Sequence, residues 1–213
     1  MTEEPLRVDI VSDVVCPWCI VGYQQLRAAS EQTGIEIAPY WHPFELNTEM
    51  TAEGQNLQEQ IIGKYGSTTK QSQNARIQLT EVGQSLGITF NWSDESRIYN
   101  TFDAHQLLHW ASESGATHKL KLALFKAYFE DGQDVSNAEV LLEVCKDLTL
   151  DTNEAEQVLK QQTFASLVRE KERFWTSRGV SGVPTMIFAG KHATSGAQGI
   201  ETFSNILQTI SVG

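Results

Sequence analysis

Cys16-Pro17-Trp18-Cys19 constrains this chain more than any other segment. It follows a short apolar run, Val8-Asp9-Ile10-Val11, and precedes a stretch of helical texture, Ile20 to Glu31. A strand that ends in Cys-x-x-Cys and feeds a helix puts the first sulfur at the helix N-terminus. Unpaired backbone N–H groups and the macrodipole favour an anion there, and a thiolate is the species that attacks disulfides. Two intervening residues leave Cys19 within reach, so it can resolve a mixed disulfide by closing the ring. The same spacing is also half of a zinc knuckle. A structural zinc site needs four ligands, yet the only other cysteine is the distant Cys145. Pro17 suits a first helical turn, where its missing N–H costs nothing. The redox reading is therefore favoured over the metal reading.

Composition narrows the function further. The chain has 213 residues, enough for one large domain or a domain with an inserted subdomain. A net charge of −11 argues against a nucleic-acid partner, whose phosphates would be repelled. No tract of about 20 apolar residues is present, so no membrane span is expected. The first residues, Met1-Thr2-Glu3-Glu4-Pro5, are acidic and lack the apolar core of a signal peptide. One cysteine pair plus a spare is not a disulfide framework and fits a reducing compartment. A cytoplasmic location is the expectation.

Along the chain, Leu6 to Val11 reads as a buried strand and Cys19 to Thr33 as a helix stopped by Gly34. Ile35 to Trp41 reads as a second strand, closed by His42-Pro43 because proline cannot continue a central strand. So short a strand–helix–strand unit implies parallel pairing with a right-handed crossover. From Thr51 to Arg178 the texture is helical, with no strand alternation. Candidate helices cover Leu57 to Tyr65, Lys70 to Leu86, Thr101 to Ser114, His118 to Glu130, Asn137 to Leu148, and one or two more from Asn153 to Arg178. Strand character returns at Pro184 to Ala189, Ala193 to Ser195 can pair back as a hairpin, and Gly199 to Ile210 reads as a closing helix. The layout is βαβ, a long helical block, then ββα. These strands must share one sheet. The expected α/β organisation is a core of residues 1–50 and 179–213 with a helical subdomain, 51–178, inserted.

That layout resembles the thioredoxin fold, and within it the DsbA-like family, closest to its FrnE-like branch. The resemblance rests on Ser12-Asp13-Val14-Val15-Cys16-Pro17-Trp18-Cys19, Phe102-Asp103-Ala104-His105, Gly182-Val183-Pro184-Thr185 and Ser195-Gly196-Ala197-Gln198, in order over nearly the whole chain. It implies a thiol–disulfide oxidoreductase in which Cys16 is the nucleophile and Cys19 the resolving thiol. It implies that Pro184 is a cis-proline facing the sulfurs. An X–Pro bond is where a cis peptide costs little, and a cis turn before a strand exposes the Val183 backbone to an extended substrate. Pro17-Trp18 lacks the histidine of the Pro-His pair in strongly oxidising periplasmic relatives. That removes one cationic stabiliser of the Cys16 thiolate, so a less oxidising protein is expected.

Other residues carry two readings each. Asp13 either relays a proton to the resolving thiol or caps the following helix. Trp18, inside the Cys-x-x-Cys, is expected to be exposed and to contact substrate. His105 and His109 stand four apart on one helix face. They could complete a metal site with Cys16 and Cys19, but no metal is expected, and His105 is better placed as a substrate-binding residue in a cleft between the inserted helices and the cysteines. Cys145, among Leu141, Leu142 and Val144, reads as core. Some relatives carry a second cysteine pair, and this chain does not match that pattern.

The expected partners are protein, peptide or small thiols and disulfides. No bound cofactor is expected, with glutathione as a candidate co-substrate. Two alternatives stay open. One is a glutathione-dependent isomerase or transferase of the kappa and hydroxychromene-carboxylate type, whose members usually have serine where Cys16 stands. The other is a redox-inactive or zinc-holding chaperone module.

Overall fold

A computed structural model describes residues 4–51 and 53–211. The first three residues of the acidic N-terminal segment lie outside that range. The described chain divides into two compact units, one of residues 1–46 and 169–213 and one of residues 47–168.

The first unit is built on a four-stranded mixed sheet. Its strands are β1 (Leu6–Ser12), β2 (Ile37–Pro43), β5 (Thr185–Phe188) and β6 (His192–Ser195), in the order β2-β1-β5-β6. β1 runs parallel to β2 and antiparallel to β5, and β6 pairs back on β5 as a hairpin. The helices of this unit are α1 (Pro17–Thr33), α9 (Ile200–Ser211) and the later part of α8 (Ala165–Thr176), which carries the chain across the boundary.

Register assigns the two faces of the sheet. Val8 pairs with Phe188 and Ile10 with Met186, and all four are fully buried. Paired residues share a face, and this face takes the helices: Phe203 of α9 meets Phe188, and Tyr23 of α1 meets Trp41 at 5.3 Å between rings. Strand residues one step along point the other way. There Asp9 binds Arg7 and His42, each at 2.7 Å, and the His42 ring packs on Trp175 of α8. Burial would lift the Asp9 carboxyl, but the bonds to Arg7 and His42 outweigh it and hold the carboxyl below its ordinary range. Helix α1 ends where Gly34 turns left-handed at φ 71°, and its N–H returns to the Ser30 carbonyl.

Both limits of β2 differ from the sequence reading, and it starts at Ile37 rather than Ile35. β2 does not stop before His42-Pro43 but continues through Pro43, which pairs with Ser12, and it also contains Pro39. β2 is an edge strand, and an edge tolerates a residue that cannot donate to a ladder.

The second unit is mostly helical: α2 (Leu57–Tyr65), α3 (Thr69–Ser85), α4 (Phe102–Trp110), α5 (Thr117–Phe129), α6 (Ala138–Asp147) and α7 (Thr152–Gln161). The caps follow local chemistry. Asn56, Asn137 and Asp151 accept from the first free N–H groups, and Thr68 with Gln71 forms a capping box. Leu107, Leu120, Leu124, Phe125 and Leu141 fill the core. The expectation of no strand in this interval is corrected. β3 (Gln55–Asn56) pairs antiparallel with β4 (Arg97–Ile98). Two residues are too few to show alternation, and the pairing simply closes the neck of the α2–α3 excursion.

Candidate functional site

The local sequence explains how the cysteines are placed. β1 ends at Ser12, and the turn that follows is closed by Cys16 N–H donating to the Asp13 carbonyl at 3.3 Å. Cys16 is then the N-cap of α1, with φ −89° and ψ 111°, and Pro17 opens the helix. Cys19 N–H donates to the Cys16 carbonyl at 3.0 Å, which completes the first turn. Both sulfurs are free thiols, with Cys16 4% and Cys19 0% exposed.

The opposite wall comes from the start of β5. Thr185 pairs with Val11, so the segment just before it arrives beside the end of β1. The Val183–Pro184 bond is cis. Thr185 Oγ1 donates to the Gly182 carbonyl at 2.8 Å, and Gly196 N–H to the Pro184 carbonyl at 2.8 Å. These two bonds hold the turn from both sides. The Cys16 thiol donates to the Val183 carbonyl at 3.6 Å. The sequence reading left the Val183 backbone free for a substrate strand. In this dithiol state its carbonyl is occupied by the Cys16 thiol.

Gly22 belongs to no motif of the sequence, and it matters here. A Cβ at this position would lie 3.2 Å from both Pro184 Cγ and Met186 Cε. The bare backbone lets α1 press directly on the turn that faces Cys16. The available signal was a glycine in the interior of a helix that otherwise has no reason to carry one.

The electrostatics of Cys16 oppose what its position at a helix N-terminus leads one to expect. Its hydrogen bond with the Cys19 sulfur pushes the Cys16 thiol well above its ordinary range, and burial and the charges of Cys19 and Asp13 push the same way. The resting form in this geometry is the thiol.

The remaining candidates separate clearly. Asp13 is 1% exposed, and its Oδ2 accepts from Leu46 N–H at 2.7 Å. The side chain of Cys16, the N-cap residue of α1, makes no capping hydrogen bond. Trp18, 44% exposed, is one of the large apolar side chains left open. Cys16, Cys19, Trp18, Asp13, Val183 and Pro184 all belong to the sheet-bearing unit. His105 belongs to the helical unit, where it is buried in α4, and His109 in the same helix packs on Phe164. Cys145 is fully buried in α6, and burial raises its thiol to about 11. Among the described residues, no group of three or more His, Cys, Asp or Glu is arranged to hold a metal ion. No described helix is long and apolar enough to cross a membrane.

Comparison with known proteins gives this geometry a family. The model of the DSBA-like thioredoxin domain matches residues 7–208. This chain belongs to the DSBA-like family. The crystal structure of a probable DsbA oxidoreductase from Streptomyces coelicolor is similar at 30% identity and a TM-score of 0.88, covering 97% of this chain and 90% of that one. The cytosolic disulfide reductase DsbM from Pseudomonas aeruginosa is 17% identical with a TM-score of 0.68, covering 98% and 100%, and it also has a structure with GSH. A 2-hydroxychromene-2-carboxylate isomerase is 16% identical with a TM-score of 0.70, covering 96% of both chains. The last two likenesses establish the shared fold. As a DSBA-like protein the chain thus has the thioredoxin-type α/β architecture anticipated from its strand order.

Proposed function

We propose that this DSBA-like chain is a thiol–disulfide oxidoreductase that works through Cys16 and Cys19. The observation that carries the reading is the Cys16 thiol at the N-cap of α1, aimed at the carbonyl of the cis Val183–Pro184 turn, with Cys19 one helical turn away. Cys16 loses its proton and attacks a substrate disulfide. One substrate sulfur leaves as a thiolate, and a mixed disulfide forms on Cys16. Cys19 then attacks the Cys16 sulfur, releases the second substrate thiol and closes the Cys16–Cys19 disulfide. Two equivalents of a small thiol such as glutathione return the pair to the dithiol and are themselves oxidised to one disulfide. The reverse sequence oxidises a dithiol substrate.

Each neighbouring residue has a task in this scheme. Pro184 holds the turn against the sulfurs. The Val183 carbonyl exchanges its bond to Cys16 for one to the backbone of an extended substrate. Exposed Trp18 offers an apolar contact to the substrate, and Asp13 relays a proton during resolution. A cytoplasmic setting, with glutathione as co-substrate, suits an acidic chain with one redox pair. The isomerase alternative is disfavoured by the intact pair, since glutathione-dependent isomerisation does not require a second thiol.

Reduction of insulin by glutathione in the presence of the protein tests the reading. Wild type accelerates the reaction and Cys16→Ser does not. Undiminished acceleration by Cys16→Ser would remove the cysteine from the mechanism.

A further inference from the structure

Glu45 has no role in the scheme above, and its surroundings are unusual for a carboxylate. The parallel pairing of β1 with β2 ends at Ser12 and Pro43, so the segments leaving both strands start side by side. Leu46 N–H donates to Asp13 Oδ2, and the Asp13 carbonyl accepts from Cys16 N–H. A continuous hydrogen-bonded path therefore joins the Glu45-Leu46 segment to the nucleophile by way of Asp13.

The Glu45 side chain is only 1% exposed. One oxygen accepts from the Arg169 guanidinium, which also binds Glu172 Oε2 at 2.9 Å. The other oxygen, Oε2, is buried and has no hydrogen-bond partner. Within this unit the charged groups that act on Glu45 are Arg169 and Glu172 of α8 and Asp13 of the β1–α1 turn. One guanidinium thus answers to two carboxylates. Burial first, then the Glu172 charge, raise the Glu45 carboxyl to about 8, against the pull of Arg169 and with a smaller push from Asp13. Asp13 in turn opposes ionisation of Cys16.

We propose that Glu45 is a positioning residue for Cys16: acting through Asp13, it sets how much negative charge the dithiol faces. With its proton on, Glu45 is neutral and leaves the dithiol only the field of Asp13. With its proton off, its charge repels the Asp13 carboxylate toward the dithiol, and Asp13 then holds the Cys16 proton more tightly. The purpose of this device rests on the thiol–disulfide reading, but its readout does not.

The test is the rate at which iodoacetamide alkylates Cys16 in the reduced full-length protein, followed by peptide mass between about pH 6 and pH 10. Glu45→Gln mimics the protonated side chain. Its rate should match wild type near pH 6 and exceed it about three- to tenfold near pH 9, equivalent to half to one pK unit on Cys16. Glu172→Gln leaves Arg169 to Glu45 and lowers the Glu45 pKa, so the pH at which wild type and variant curves diverge should fall. In an Asp13→Asn background the effect of Glu45→Gln should vanish. Superimposable wild-type and Glu45→Gln profiles, a pH-independent loss, or an undiminished effect without Asp13 would each overturn the proposal. Insulin reduction is assayed separately. Its absence alongside the expected alkylation profiles would sink the functional reading and spare this one, and the converse result would do the opposite.

Discussion

Helices α1 and α6 both carry buried cysteines, and they show that burial does not decide what a thiol can do. Cys145 lies within α6 among Leu141, Val144 and other apolar side chains, and burial is the sole cause that raises its pKa. Cys16 is just as hidden, but it stands at the junction of a strand and a helix. Its sulfur meets Cys19 and the Val183 carbonyl, and Asp13 acts on it electrostatically. The difference is one of place. A mid-helix position offers a side chain only packing, whereas the N-cap position projects it toward the turn that β1 and β5 bring together. Around Cys16 the sulfur meets polar groups, the Cys19 thiol and the Val183 carbonyl. The region around α6 is a conventional core.

The most severe way to break this comparison is to remove the sulfur of Cys16. Cys16→Ser should lower glutathione-driven insulin reduction by on the order of a hundredfold or more, because a hydroxyl at this site is not ionised. Alkaline pH sharpens the comparison next. With the Cys16 thiol raised above its ordinary range, the thiolate fraction of the reduced protein should grow by about tenfold per pH unit below that pKa. Initial turnover should therefore still be climbing above pH 8, and a plateau at neutral pH would contradict the assigned electrostatics. The raised pKa also bears on stability. It favours the fold while both states keep the proton, and this contribution is lost as pH rises from the ordinary thiol value through the folded one.

Gly22→Ala probes the wall rather than the sulfur. A methyl group there crowds Pro184 and Met186 at 3.2 Å. Turnover should fall severalfold as the turn is displaced, while stability changes by no more than about 1 kcal/mol because alanine's better helix propensity offsets the crowding. Thermal unfolding and insulin reduction on the same sample separate the two effects. Smallest of all is Cys145→Ala. It should cost about 1 kcal/mol of stability for the space it leaves and leave turnover unchanged. A change in turnover would give α6 a share in the chemistry.

Much of this was legible in the sequence because its signals are local. The apolar β1, the Cys-Pro-Trp-Cys junction and Gly34 each depend on neighbours within a few residues. The βα junction placed Cys16 correctly, and Cys145 was readable from helical spacing alone. What escaped depended on partners far along the chain. Pro43 signals a strand end in sequence, because an edge strand looks like a central one until the sheet order is known. The Val183 carbonyl gave no sign that Cys16, 167 residues away in sequence, would occupy it. Glu45 offered a weak hint, a lone carboxylate in Pro43-Phe44-Glu45-Leu46, but nothing near it announces Arg169. The β3–β4 ladder was too short to leave a pattern.

The central claim is that Cys16 attacks and Cys19 resolves, while Cys145 stands apart. It is tested most directly by exposing reduced Cys19→Ser protein to glutathione disulfide and mapping the adduct by peptide mass. With no resolving thiol, the mixed disulfide should accumulate on Cys16 and persist, and the Cys145 peptide should remain unmodified. An adduct on Cys145, or none on Cys16 under conditions that oxidise the wild-type pair, would contradict the account.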